Sequence, residues 1–273
     1  MKNRRAWWAA AIMSGVIVAL LLVSTNRQPR FEGKRLGRWL EEINRAGSLS
    51  NAEPALKAIV ALGTNSLPFL LEIISIQNSP AKEKFIWYME KASLPVLELP
   101  FAAYLKGASC LALKTLGTNA DPIIPELAAL ALLPEHMSWA ISALFAIGST
   151  AAPGFITVCG SSNVMIRAES ALYLSKVADG SQRGAHWEWG STAPGRRQFS
   201  YLASTIGSEE DARAIVRQLK HPNAAVRRAS VEALTVFCHQ HKFILEELAK
   251  AQEDKNDLVR IAASEAIANI NAN

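Results

Sequence analysis

The stretch Ala55-Leu-Lys-Ala-Ile-Val-Ala-Leu-Gly63-Thr-Asn-Ser-Leu-Pro68 decides the fold, because it returns twice along the chain. It comes back as Leu111-Ala-Leu-Lys-Thr-Leu-Gly117-Thr-Asn-Ala-Asp-Pro122 and as Ile141-Ser-Ala-Leu-Phe-Ala-Ile-Gly148-Ser-Thr-Ala-Ala-Pro153, with glycine and proline five residues apart each time. Apolar residues at A-L-x-x-L spacing share one face of a helix. The glycine reads as a left-handed helix terminator, Thr-Asn or Ser-Thr as the cap of the next helix, and the proline as a residue of that helix's first turn, where a missing N–H costs nothing. Each unit is therefore a helical hairpin that buries its apolar stripe against its neighbours.

A second signature follows downstream. Val164-Met-Ile-Arg-Ala-Glu-Ser-Ala171, Val226-Arg-Arg-Ala-Ser-Val-Glu-Ala233 and Val259-Arg-Ile-Ala-Ala-Ser-Glu-Ala266 align without gaps. Matching alanines fall at 58, 112, 143, 171, 233 and 266, so steps near 30 residues are single hairpins and the steps of 54 and 62 contain insertions or a degenerate extra repeat. Five or six hairpins are expected, with no strands except a local pair in the 180s and the most regular hairpins at the C-terminus.

The helices Val226 to Leu234 and Val259 to Ile267, each preceded by a turn (His221-Pro-Asn-Ala, Asp254-Lys-Asn-Asp257), resemble the HEAT-repeat family, including its phycobilisome-lyase-like variety. The resemblance runs over roughly residues 50 to 271. Phe31 to Ile43 after an apolar segment, followed by A-L-G-T-N-x-x-P repeats, is similar to membrane-anchored bacterial HEAT-repeat proteins. It implies an all-α fold, an α-solenoid of HEAT-like hairpins over residues 31–273, after an N-terminal anchor over residues 1–30.

The 273 residues are 50% apolar and 19% charged, outside the range of a disordered chain. The net charge of +5 is unevenly placed: eight basic residues and one acidic residue lie within the first 38, leaving 21 basic and 23 acidic residues in the remainder. A nearly neutral body is a poor nucleic-acid ligand, so no nucleic-acid partner is expected.

Residues 6–26 carry no charge, and at about 1.5 Å per residue such a helix spans roughly 30 Å, the thickness of a bilayer's hydrocarbon core. The segment reads as a single-pass signal-anchor built on Trp7, Trp8, Ile12, Val16, Leu20, Leu21 and Leu22, with the indoles at the interface and the body outside the cytoplasm. A cleaved signal peptide and a buried soluble helix are the alternatives. Leu22-Val-Ser-Thr25 offers a poor cleavage site.

Insertions near 79–106 and 180–197 interrupt the repeats. The second, glycine-rich, holds His186, Trp187, Glu188 and Trp189, followed by Arg196 and Arg197. Tryptophan and arginine dominate interface hot spots, and long loops of repeat proteins often carry the binding face. These six residues are the candidate contact with a protein partner, set against the plainer reading of an indole folded back over the helices.

Arg167, Arg227 and Arg260 read as solvated or hairpin-bridging arginines, and Cys110, Cys159 and Cys238 as small buried side chains. In Cys238-His-Gln-His241 only Cys238 and His241 share a helical face, short of the three or four ligands zinc takes. With no phosphate-binding loop, G-x-S-x-G, H-E-x-x-H or C-x-x-C pair, the expected function is a non-catalytic, membrane-tethered scaffold without cofactor, metal or small-molecule substrate. A lyase-like or nucleic-acid-repair HEAT enzyme, or a permanent subunit of an envelope assembly, is the alternative.

Overall fold

The computed structural model describes residues 28–46, 48–76, 102–178, 209–235 and 243–272. The anchor segment, the 180–197 loop, Cys238, His239, His241 and all of the first insertion before residue 102 lie outside the described residues.

Described residues are mostly helical, as an all-α chain requires. A two-residue hairpin comes first, β1 (Arg30–Phe31) and β2 (Lys34–Arg35), with Arg30 opposite Arg35 and Phe31 opposite Lys34. Its turn residues Glu32 and Gly33 have φ of 49° and 75°, the pair of positive values a type I′ turn needs. No strands were expected at residues 30–35, and the pair expected in the 180s lies outside the described residues. Six residues with a single Gly in the turn are too short a signal to stand out beside the helical repeats.

Helices follow in alternation. α1 (Leu36–Arg45) leads into α2 (Leu49–Leu62), α3 (Leu67–Ser75), α4 (Ala102–Leu116), α5 (Ile124–Ala131), α6 (Met137–Ile147), α7 (Ala152–Val158), α8 (Val164–Ala178), α9 (Glu209–Gln218), α10 (Ala224–Leu234), α11 (Phe243–Ala251) and α12 (Asp257–Ala272). From α2 onward the even-numbered helices are the long ones, 11 to 16 residues, and the odd-numbered ones the short, 7 to 10. Each long helix packs on the next long one, α2 on α4 through to α10 on α12, and the short helices lie against them. Buried Leu, Ile and Ala form one cluster from Leu36 to Ala266.

Long helices end at the repeated glycines. Gly63, Gly117 and Gly148 all have positive φ, but at Gly63 and Gly148 ψ is −140° and −146°. That is the mirror image of extended backbone rather than the left-handed helical cap the motif suggested, a region open to glycine and closed to side chains. The Thr-Asn pair also departs from expectation. It does not cap the short helix; it lies inside a 3-10 turn, Gly63–Ser66, closed by the Ser66 hydroxyl donating to the Gly63 carbonyl at 2.6 Å. Pro68 and Pro153 do occupy the first turn of α3 and α7. In the middle repeat Pro122 falls within the longer 3-10 turn Gly117–Ile123, and Pro125 takes that place in α5. The turns stack edge to edge, the Thr150 hydroxyl donating to Asp121 Oδ1 at 2.6 Å.

By length and mean hydropathy, Leu49–Ser75 could cross a membrane. In the fold it is the α2–α3 pair interrupted at Gly63, with Ala52, Ala55, Ile59, Leu70 and Ile74 buried. A core hairpin meets the same criteria of length and composition.

Candidate interaction surface

The connections from short to long helix repeat a second local structure. In Ser161-Ser-Asn163, His221-Pro-Asn223 and Asp254-Lys-Asn256 the asparagine Oδ1 accepts from the N–H two residues on, at Met165, Ala225 and Leu258 (2.9, 2.8 and 3.1 Å). Each asparagine N–H in turn donates to the side chain two residues before it, Ser161 Oγ, His221 Nδ1 or Asp254 Oδ1. Asparagine suits this place because its short amide satisfies helix-start N–H groups that have no carbonyl partner.

Four residues after each asparagine stands an arginine, Arg167, Arg227 or Arg260, whose Nη1 donates back to the carbonyl of Ser161, His221 or Asp254 at 2.7, 2.8 and 2.8 Å. These bonds fix the repeat register. Ile166, Val226 and Val259 are the equivalent residues, so the ungapped alignment on Val164 is two residues out for α8. The β-branched Val164 occupies the exposed first turn and imitates the motif; N-x-x-x-R was the signal that would have placed it.

The arginines then divide. Arg167, 2% exposed, makes a bidentate pair through Nε and Nη2 with Glu232 of α10 at 2.7 and 2.6 Å. Arg227 does the same with Asp254, ahead of α12, at 2.7 and 2.8 Å. Charge buried this deeply must be paired, and a guanidinium fork matches a carboxylate in two bonds. The Arg227 guanidinium holds Asp254 below the usual carboxylate range. Arg260 pairs within its own helix with Asp257. Of the three arginines read as solvated or hairpin-bridging, Arg167 and Arg227 therefore bridge repeats, both through buried guanidiniums, and Arg260 does not.

The same register brings out a row the sequence reading did not anticipate. Two and five residues after each asparagine come Met165 and Ala168, Ala225 and Arg228, Leu258 and Ile261. Met165 is 60% exposed, Leu258 53% and Ile261 52%, while Ala168, Ala225 and Arg228 are part-buried between them. With neighbouring helix axes 8–10 Å apart, the row extends about 20 Å across α8, α10 and α12. Arg228 sits at its middle and shares the Glu232 carboxylate with Arg167 (3.1 Å), so two cations answer one anion. The surface is apolar with a local positive charge.

Several titratable groups depart from ordinary values. Burial pushes the Cys110 and Cys159 thiols up to about 12 and about 11, so both are buried and unreactive, as small hydrophobes would be. Glu169, where the equivalent residues are Ala229 and Ala262, is raised by burial to about 7. Lys106 of α4 is 5% exposed, lies 5.9 Å from the Trp139 ring centroid, and is held below the usual lysine range by burial. Among the described residues, no three His, Cys, Asp or Glu side chains are grouped as a metal site would need.

His186, Trp187, Glu188, Trp189, Arg196 and Arg197 fall outside the described residues, as do Trp7, Trp8, Ile12, Val16, Leu20, Leu21 and Leu22. A scan against protein-family models and a search of curated proteins find no match to this chain.

Proposed function

We propose that the chain is a HEAT-like α-solenoid that serves as a non-catalytic scaffold for a protein partner, tethered to a membrane through residues 6–26 with its body on the extracytoplasmic side. The single observation that carries this reading is the row of exposed apolar side chains, Met165, Leu258 and Ile261, at matching positions of a repeated helix. Stacked hairpins offer an extended surface of this kind, and exposed apolar side chains that line up across elements mark interaction sites more often than scattered ones do. The surplus cation at Arg228 favours a partner segment that brings apolar residues and a carboxylate.

The insertion loop contributes a second contact in this reading, through Trp187 and Trp189. The test is affinity purification of the full chain from detergent-solubilised membranes, comparing wild type with Met165→Glu/Leu258→Glu/Ile261→Glu and with Trp187→Ala/Trp189→Ala. Loss of a co-purifying protein in the first variant supports the row as the docking face. The same proteins in the same amounts from all three chains overturn the scaffold reading. Protease protection of the C-terminus in sealed vesicles tests the side of the membrane.

A further inference from the structure

The β1–β2 hairpin carries a charge arrangement that its own fold leaves uncompensated. Phe31 and Lys34 both reach Trp39 of α1, at 6.5 Å between ring centroids and 4.2 Å from ammonium to ring centroid. Since alternate strand residues point to opposite faces, Arg30 and Arg35 share the other face, directly across from one another. Like charges in this position repel. The nearby cations are neutralised, Lys34 by Glu42 at 2.8 Å and Arg38 by Glu41 at 2.9 Å. Among the described residues, Arg30 and Arg35 have no such carboxylate.

The hairpin is also held rigidly. The Leu36 N–H donates to the Pro29 carbonyl at 3.0 Å, the Gly37 N–H to Gln28 Oε1 at 3.3 Å, and Leu36, Trp39 and Leu40 are buried. Arg30, exposed, and Arg35, half-buried, are thus carried on a fixed platform.

We infer that this face of the hairpin docks on anionic phospholipid headgroups and so orients the repeat array on the bilayer surface. The inference rests on the tether reading, because Arg30 follows the uncharged window by four residues. At up to about 3.6 Å per residue that linker reaches no more than about 14 Å, and the headgroup layer outside the hydrocarbon is itself about 5–7 Å thick. The pair is therefore confined to within about one Debye length (roughly 8 Å at physiological salt) of the headgroups. An arginine near an anionic surface shifts the docking equilibrium about fivefold, so two shift it by about twentyfold to thirtyfold.

The test uses the full chain in nanodiscs of phosphatidylcholine alone and of phosphatidylcholine with 30% phosphatidylglycerol, read by hydrogen exchange over residues 28–40. Exchange slowed up to about twentyfold by phosphatidylglycerol, abolished in Arg30→Gln/Arg35→Gln and retained in Arg30→Lys/Arg35→Lys, is the expected result. Neither substitution touches a side-chain cap, since Arg35 makes none. Equal exchange in both discs overturns the inference, as does the same slowing by inorganic phosphate in phosphatidylcholine discs. Resistance of the full chain to carbonate extraction from phosphatidylcholine vesicles reads the tether separately. A chain that stays inserted while its hairpin ignores lipid charge leaves the tether standing and removes the hairpin contact.

Discussion

Replacing Arg227 with methionine should loosen the last hairpin from the rest of the array, and the size of the effect follows from its contacts. The guanidinium makes two bonds to Asp254 and two more to the carbonyls of His221 and Pro222, at 2.8 and 3.0 Å. Removing one partner of a buried ion pair costs about 3–5 kcal/mol. Asp254 keeps an edge in water (13% exposed) and a bond from the Asn256 N–H, which places the loss at the lower end, about 3 kcal/mol. The carbonyl bonds are lost whether or not Asp254 is present, so a double-mutant cycle with Asp254→Asn isolates the pair. Urea unfolding of Arg227→Met, Asp254→Asn and the double variant should return a coupling of more than about 1.5 kcal/mol, the worth of one charge-assisted bond. Because Asp254 titrates below its ordinary 3.8 when folded, the coupling is complete above that value and fades as pH falls through the lower folded one. A coupling under about 0.5 kcal/mol at pH 7, the level of an exposed pair, would refute the view that this bridge joins the repeats.

Gly63→Ala should destabilise by about 1–3 kcal/mol through backbone strain alone, since a Cβ there meets nothing within 4 Å and φ is +54°. Gly107→Ala, equally open but inside α4 with no positive φ, should instead raise the melting temperature, glycine being about 0.5–1 kcal/mol worse than alanine within a helix. At Glu169 the folded chain holds a proton to about pH 7 that an ordinary carboxyl releases near 4.5, so stability is fullest below 4.5 and falls as pH rises to about 7. Glu169→Ala should flatten that slope and stabilise the protein at pH 8, as pH-dependent melting curves would show. Cys110 and Cys159 should resist iodoacetamide at pH 7.5 in the native protein and react after denaturation, read by mass spectrometry.

The helical repeats were legible because they rest on local chemistry. Gly63, Gly117 and Gly148 announce helix ends through φ, and Pro68 and Pro153 announce starts. What those residues do in detail was not legible, because the choice between a left-handed cap and a mirror-extended turn lies in ψ, which depends on how the next turn stacks. The register of α8 was misread for a similar reason. Val164 and Val226 look alike as letters, and the N-x-x-x-R spacing that separates them gains its meaning from the return bond of Arg167 to the Ser161 carbonyl. The candidate surface was invisible to composition altogether. Met165, Leu258 and Ile261 resemble core residues until the register shows them on the side that neither the short helices nor the neighbouring long helices cover.

The buried arginine bridges also decide how a local opening would spread. Arg167 in the first turn of α8 is held by Glu232 in the last turn of α10, and Arg227 in the first turn of α10 by Asp254 ahead of α12. Helix α10 thus gives a carboxylate to the long helix before it and a guanidinium to the turn before the next one. Freeing α10 would strip Arg167 and Asp254 of their ion-pair partners in one event, so α8, α10 and α12 should open together, as links of which the middle one clasps both neighbours.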